Sequence, residues 1–493
     1  MVSVVPLARN AQHRASQTSK LTISPITISP LYNWKPLLSS AGGFRNFSAV
    51  KNNNVFFWSL VVALGGFLFG FDTAVISGAE KAIQQLWGLD SVQHGFTIAV
   101  ALIGTVFGAI FGGIPSDRLG RRQTLIWIAV LYLVSALGAA LTSNWYAFML
   151  FRFLGGLGVG ASSVTAPLYI SEVAPAEKRG QMVAMFQFNI VFGILAAYLS
   201  NYLLTGLGEN DWRWMLGVQA APALAFFLLL FRVPESPRWL IGQGRVEEGR
   251  AVFRRIDEAK ADELVTSVLT TNAADQAEGG RSLLARQYRT PVMLAVLFAL
   301  FNQVSGINAI IYYAPRIFEM TGLGKSSALL SSAGLGLVNF IFTLLARQVI
   351  DRFGRRKLML IGSFGLITTL ALVAWAFYSE NFTAFGGMLV PGLLFVYIAF
   401  FAFSQGAVIW VFISEIFPNT VRAQGQALGS STHWVMAAII AFAFPPLAEQ
   451  LGGGNTFAFF CGMMVLQLLF VLGLMPETKG TSLEQLDKTL VLH

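Results

Sequence analysis

Cysteine is nearly missing from this chain: Cys461 stands alone among 493 residues. Neither a disulfide framework nor a thiolate metal cluster can be built, and thiol redox chemistry is excluded. Histidine is scarce as well. His13, His94, His433 and His493 share no metal-ligand spacing, and no nucleophile stands beside an evident base. No metal, cofactor or catalytic residue is expected, and the chain does not read as an enzyme. Charged residues make up only 12% of the sequence, too few for an ordinary soluble domain. Acid is absent altogether from residues 1–50, which carry Arg9, Arg14, Lys20, Lys35 and Arg45 among Ser, Thr and Pro without helical periodicity.

That first stretch reads as a disordered N-terminal extension. Its composition resembles a transit peptide. It reads alternatively as translated leader upstream of a start at Val50, with Lys51-Asn52-Asn53-Asn54 as a short head. The intact mass decides between them, since a first residue near Val2 removes the second reading.

What the chain has in abundance is apolar sequence, 55% of residues with 13% aromatics. Stretches of about 20 residues, enough for a roughly 30 Å hydrocarbon layer, fall near 56–78, 96–115, 123–142, 146–170, 181–204, 214–233, 291–318, 328–350, 358–378, 388–413, 424–447 and 456–475. Twelve membrane spans are expected. The 48 glycines fall largely inside them, as in Gly155-Gly156-Leu157-Gly158-Val159-Gly160, where small residues let helix backbones approach closely.

The sequence is also built twice. Asp117-Arg118-Leu119-Gly120-Arg121-Arg122 returns as Asp351-Arg352-Phe353-Gly354-Arg355-Arg356, and Pro234-Glu235-Ser236 returns as Pro476-Glu477-Thr478. Glu172 with Arg179 matches Glu415 with Arg422, each glutamate followed three residues later by a proline, Pro175 and Pro418. Three pairs in the same order indicate a parallel repeat of two six-helix halves, a ground plan known among secondary transporters. The expected domains are an N-terminal bundle over 51–233, a charged segment over 234–290, a C-terminal bundle over 291–475 and a tail over 476–493. Around Val246 to Ile256, apolar and charged residues alternate at helical spacing with Glu247, Arg250 and Arg254 on the wet side, so the middle segment reads as a helical linker.

Basic residues give the orientation. Arg118, Arg121 and Arg122, Lys178 and Arg179, the cations from Arg238 to Arg289, Arg352 to Lys357, and Arg422 occupy alternate loops of one side. That side is expected to be cytoplasmic, with both termini on it. Insertion topology accounts for this basicity, and no aromatic-interleaved basic patch points to nucleic acid.

Three groups of residues carry candidate chemistry. Asp72, in Gly65-Gly66-Phe67-Leu68-Phe69-Gly70-Phe71-Asp72, puts a carboxylate inside an apolar span, where charge is costly and usually marks a substrate or proton route. Arg152, near the start of the fourth span, is its candidate partner. Either the pair is a static structural tie, or it separates during a conformational change and lets Asp72 take a proton. The seventh span gathers Asn302, Gln303, Asn308 and Tyr312 on an otherwise apolar helix. Gly306 and Pro315 weaken that helix and can free backbone groups. Amides and a phenol without charge suit a neutral polyhydroxyl solute, on whose ring Trp410 or Trp434 can stack. Lastly, Asp117, Arg118, Arg121, Glu172, Arg179, Glu235 and Arg238, with Asp351, Arg352, Arg355, Glu415, Arg422 and Glu477 in the second half, lie at span ends. An ion-pair network there is expected to act as a cytoplasmic gate.

These motifs, with Pro234-Glu235-Ser236-Pro237-Arg238-Trp239-Leu240, Gln303 to Asn308 and Pro476-Glu477-Thr478-Lys479-Gly480, resemble the sugar porters of the major facilitator superfamily over essentially all of residues 55–485. The resemblance implies an all-α membrane protein of two pseudo-symmetric six-helix bundles with a cytoplasmic helical linker, working by alternating access. It implies further that Gln187, Gln303, Asn308, Tyr312, Asn339, Gly406 and Trp410 fall on sugar-site positions, that Asp72 is the proton-coupling aspartate, and that Arg152 pairs with it. Four departures reshape the site: Asn302 and Ile194 stand where glutamines are usual, Ser404-Gln405-Gly406-Ala407 lacks the frequent Gly-Pro, and His433 precedes Trp434 where glutamine is common. The expected activity is proton-coupled import of a hexose or pentose across the cell membrane. Monosaccharide, protons and lipid are the expected partners, and the monomer the functional unit. A facilitative uniporter and a non-transporting sugar sensor are the alternatives.

Overall fold

A computed structural model describes residues 53–175, 178–277, 283, 285–380, 382, 387–418 and 421–480, without the side chains of residues 53, 271–277 and 351. The N-terminal extension over 1–50, the Asp351 side chain and the tail beyond 480 lie outside the described residues. Among these residues every regular element is a helix.

Twelve apolar helices can be followed. They are α1 (Asn53–Trp87), α2 (Ser91–Phe111), α3 (Arg121–Leu141), α4 (Trp145–Val173), α5 (Arg179–Leu204), α6 (Asp211–Leu230), α7 (Arg286–Met320), α8 (Lys325–Phe353), α9 (Arg355–Ser379) and α10 (Leu389–Glu415), then α11 and α12. The last two are continuous as a 52-residue run, Arg422–Gly473, divided where Gly452 takes φ 76 and ψ 163. Such a conformation suits glycine, so residues 422–451 form α11 and 453–473 form α12. Between α6 and α7 the charged segment forms the helices Pro237–Gly242, Val246–Ile256 and Ala261–Ala277. Val252, Phe253 and Ile256 of the second are buried while its charges face outward.

Within the first half α1 packs on α5 and α2 on α4, and glycines set how closely. A Cβ on Gly70 would lie 1.8 Å from the Ile190 carbonyl oxygen of α5, and one on Gly193 would lie 2.1 Å from that of Phe67. The helices therefore meet backbone to backbone, which fixes α1 and the carboxylate at position 72. Gly70→Val is expected to force α1 from α5 at a cost of at least about 3 kcal/mol, the upper range for overpacking. The check is a lowered Tm and poor recovery of monodisperse protein; a parental melting curve would contradict this packing. The two halves meet through α5 on α8 and α2 on α11, with the Phe442 carbonyl against Gly95.

Candidate functional site

The repeated loops form the same structure twice, on what is here called the arginine-rich face. Gly120 (φ 99) and Gly354 (φ 87) turn the chain into α3 and α9, leaving the first N–H groups of each helix without intrahelical partners. A carboxylate from the end of the half fills each gap. Glu235 accepts from the backbone N–H of Arg121 (2.9 Å) and Arg122 (3.0 Å), and Glu477 from that of Arg355 (2.9 Å) and Arg356 (3.1 Å). Negative charge at a helix N-terminus is stabilising. Arg121 then pairs with Glu172 at 3.0 Å and with Asp117 at 3.1 Å, as Arg355 pairs with Glu415 at 2.8 Å. Thr478 donates to Glu415 at 2.5 Å.

The remaining residues of this set are more loosely held. Arg118 and Arg352 are exposed; the Arg352 carbonyl accepts from Lys479. Arg422 reaches the Phe417 carbonyl at 3.2 Å. Burial and the neighbouring Arg179 hold the Arg238 guanidinium below its ordinary pKa, against the opposing pull of Glu172. Every ion pair on this face stays within one half among the described residues.

Midway along α1 the structure brings Asp72 and Arg152 together. Arg152 Nη1 donates to Asp72 Oδ1 at 2.7 Å, and both residues are 2% exposed. Gly155 lies beside the pair and leaves room for Ser135, whose Oγ a Cβ there would meet at 2.4 Å. The Arg152 Nε is buried with no partner among the described residues, and the nearby buried Tyr132 hydroxyl faces Ser162. Tyr312 of α7, from the other half, lies close to both members of the pair.

Around the break in α7 the amides gather. Gly306 takes a left-handed φ of 88, and Tyr397 of α10 donates to the freed Ser305 carbonyl at 2.9 Å. A second deviation follows at Tyr313 (φ −119, ψ 16), two residues before Pro315. Gln303 is the hub: its Nε2 lies 3.0 Å from Asn302 Oδ1 and 3.1 Å from the His433 ring nitrogens, and its Oε1 accepts from Asn308 at 2.6 Å. The His433 ring lies 5.0 Å from Trp410 and 4.8 Å from Trp434, which in turn meets Phe69 of α1 at 5.4 Å. The Asn302 Nδ2 is buried without a partner among the described residues. α10 breaks at Ser404 (φ −113, ψ −89), two residues before Gly406, and Trp410 follows one turn later. Gln187 on α5 and Asn339 on α8 are not bonded to this cluster among the described residues, although adjacent Phe188 and Phe340 meet at 5.3 Å.

A further cluster escaped the sequence reading. On the face opposite the arginines, Glu80 of α1 is bound by Arg316 of α7 at 2.7 Å and by His94 of α2 at 2.8 Å. Lys81 pairs with Glu319, Gln84 with Arg316, and Lys325 with Asp211 at 2.7 Å. Arg316, Glu319 and Lys325 belong to the second half and their partners to the first. The visible signal was Glu80 itself, a second acid in the same apolar helix about two turns beyond Asp72 and on the same broad stripe.

The family described as Sugar (and other) transporter matches residues 58–490. A D-xylose-proton symporter of Escherichia coli K12 is 35% identical, over 89% of this chain and 96% of that protein. An arabinose-proton symporter of Bacillus subtilis is 36% identical, over 87% and 94%. Among solved structures, the inward open conformation of the xylose transporter XylE from E. coli superposes with a TM-score of 0.78 at 33% identity, covering 88% of this chain and all of that one.

Proposed function

This chain belongs to the sugar transporter family of the major facilitator superfamily, and from that premise we propose that it imports a monosaccharide together with protons by alternating access. It is a transporter and not an enzyme. The observation that carries the reading is the buried Asp72–Arg152 pair in the first half lying close to Tyr312, beside the amide cluster of the second. A neutral sugar has no charge with which to draw energy from a proton gradient, so a protein group must bind the proton and change with the bound solute. Asp72 fits this task. Ionised, it is held by Arg152; protonated, it no longer needs the arginine, and the pair can part.

The sugar site is proposed to comprise Gln187, Asn302, Gln303, Asn308, Tyr312, Asn339, Gly406, Trp410, His433 and Trp434. Gln303 is in direct contact with three other members, so a hydroxyl entering there exchanges one hydrogen bond for another at little cost. The tryptophans offer apolar faces to the ring.

The arginine-rich face is proposed to be cytoplasmic, with both termini on it, in the cell membrane. The monomer is proposed as the working unit, with bundles over 51–233 and 291–475 joined by the helical linker over 234–290. On this orientation the ion pairs joining the halves lie outside, as befits a state open to the cytoplasm. The clusters around Glu172 and Glu415 are then two halves of a gate that meet when the inner side closes. Glu415→Ala removes a carboxylate from Arg355 and takes from the Thr478 hydroxyl the oxygen to which it donates. It is expected to loosen that gate and raise the reactivity of a cysteine reporter in the inner cavity several-fold; unchanged reactivity would contradict the gate.

Adding the transported sugar to a weakly buffered suspension of cells making this protein should turn the medium alkaline. Sugar entry with no alkalinisation would mean uniport and a static Asp72–Arg152 pair.

A further inference from the structure

α1 carries two buried carboxylates, and the transport reading uses only one. Glu80 is 1% exposed and stands at the junction of three helices. Arg316 holds it with two nitrogens, Nε on Oε1 at 2.9 Å and Nη2 on Oε2 at 2.7 Å. His94 Nε2 lies 2.8 Å from Oε2. A carboxylate already paired with a guanidinium accepts, so His94 Nε2 carries a hydrogen and donates it. The other ring nitrogen, Nδ1, is buried with no partner among the described residues. Glu80 and His94 belong to the first half, Arg316 to the second.

This division has a consequence for alternating access, on whose reading the inference rests. Opening of the outer side draws α7 away from α1 and α2, and Arg316 leaves with it. Glu80 then remains in a largely apolar setting without its counter-charge, which is strongly unfavourable unless another cation takes the place. The charged and titratable groups around the site leave one substitute: α5 has only Tyr198 and Tyr202 over 180–204, and Arg213 of α6 is held by the Ala140 and Thr142 carbonyls of the first half. On α1, Lys81 loses Glu319 in the same movement, but it projects about 100° around the helix from Glu80 on a side chain that is already 44% exposed, so it turns to solvent; Gln84 is neutral. On α7 the neighbours are Arg316 itself, Glu319 and Tyr313, whose ring lies 6.0 Å from His94. α4 approaches through the bond from Trp145 to Thr97 and carries no acid or base over 145–151 apart from the exposed phenol of Tyr146. α11 approaches through the Phe442 carbonyl and has no acidic or basic residue over 423–448 apart from His433.

We propose that His94 is a second proton site, which binds a proton from the outer medium on Nδ1 as Arg316 withdraws, so that an imidazolium replaces the guanidinium as counter-ion of Glu80. An N–H bond forms on opening and is broken on closing, when the returning Arg316 expels the proton to the outer medium from which it came. The proton count per sugar therefore stays with Asp72. What His94 adds is a bias: external acid stabilises the outward-open state, in which sugar and the coupling proton are captured.

The test reads conformation, not uptake. Full-length protein in lipid nanodiscs carries Cys461→Ser, Asp72→Asn to remove the first proton site, and spin labels on Leu86→Cys and Ser327→Cys at the outer ends of α1 and α8. Pulsed electron resonance gives the outer distance between about pH 5.5 and pH 8, which brackets imidazole titration. The long-distance, outward-open population is expected to rise at least about fivefold on acidification, as a single linked proton allows. With His94→Gln, whose amide keeps a donor for Glu80 but cannot titrate, the rise is expected to vanish; the same rise in that variant overturns the proposal. Glu80→Gln, which abolishes the need for a counter-ion, should also flatten the response, and an undiminished response there overturns it as well. Arg316→Gln should raise the outward-open population already at the alkaline end, and no change would be equally fatal. Absence of any sugar uptake alongside the expected distances would tell against the transport reading and leave the His94 site standing.

Discussion

Asp72→Asn is expected to abolish uphill accumulation of the sugar while sparing exchange of labelled for unlabelled sugar at equal concentrations. Asparagine keeps the shape of the carboxylate and still offers one oxygen to Arg152, whose Nη1 now lies 2.7 Å from Oδ1, but it neither ionises nor takes up a proton. With one proton per sugar, each pH unit of gradient drives about a tenfold accumulation, or about 1.4 kcal/mol. Losing the proton site removes that whole term, and the internal concentration settles at the external one. Exchange needs only binding and reorientation of the loaded protein, so it survives. Unimpaired accumulation by this variant would overturn the coupling role. Lost exchange with normal accumulation cannot follow from this mechanism either.

Replacing Gln303 or Asn308 with alanine should weaken sugar binding by one to two orders of magnitude, about 1.4–2.8 kcal/mol, without changing the amount of protein in the membrane. Gln303 contacts Asn302, Asn308 and His433 at 2.6–3.1 Å. On the proposed site, truncating it removes a ligand contact and also strands the groups it organised, and leaving buried polar groups unpaired costs more than the bond itself. Asn308→Ala should act mainly through Gln303, so the double variant is expected to lose less than the sum of the two. Binding by isothermal titration or by quenching of Trp410 and Trp434 fluorescence checks both. Normal affinity in both single variants would sink the assignment of the site to α7.

Much of this architecture was legible because membrane burial leaves a simple record. Long apolar runs give the spans, and the doubled Asp-Arg-x-Gly-Arg-Arg loop gives the two halves. The break in α7 was visible as Gly306 and Pro315, though only the structure shows the left-handed turn at Gly306 and the deviation at Tyr313. Partners remote in sequence were harder to see. Glu235 and Glu477 were expected as gate charges, and the structure finds them seated on the helix starts at 121 and 355. That contact spans more than a hundred residues and is made with backbone, which carries no sequence signal of its own.

The cluster around Glu80 was hidden more deeply. Glu80, His94 and Arg316 meet only because α1, α2 and α7 converge there, and no spacing rule connects residues 80 and 316. Arg316 follows Pro315 in a span whose amides drew the reading toward a ligand. His94 is one of four scattered histidines without ligand spacing. Proximity created by packing two halves together is set by the fold as a whole. Only the acid in the apolar helix could have announced it.

The measurement that tests the account most directly is uptake by the purified protein in liposomes, with a panel of radiolabelled hexoses and pentoses, with and without an inward proton gradient. The account predicts that one sugar or a narrow group accumulates above its external concentration only when the gradient is present, and that Asp72→Asn reduces this to equilibration. Saturable uptake that never exceeds equilibration, gradient or none, would contradict it and leave Asp72–Arg152 a structural pair.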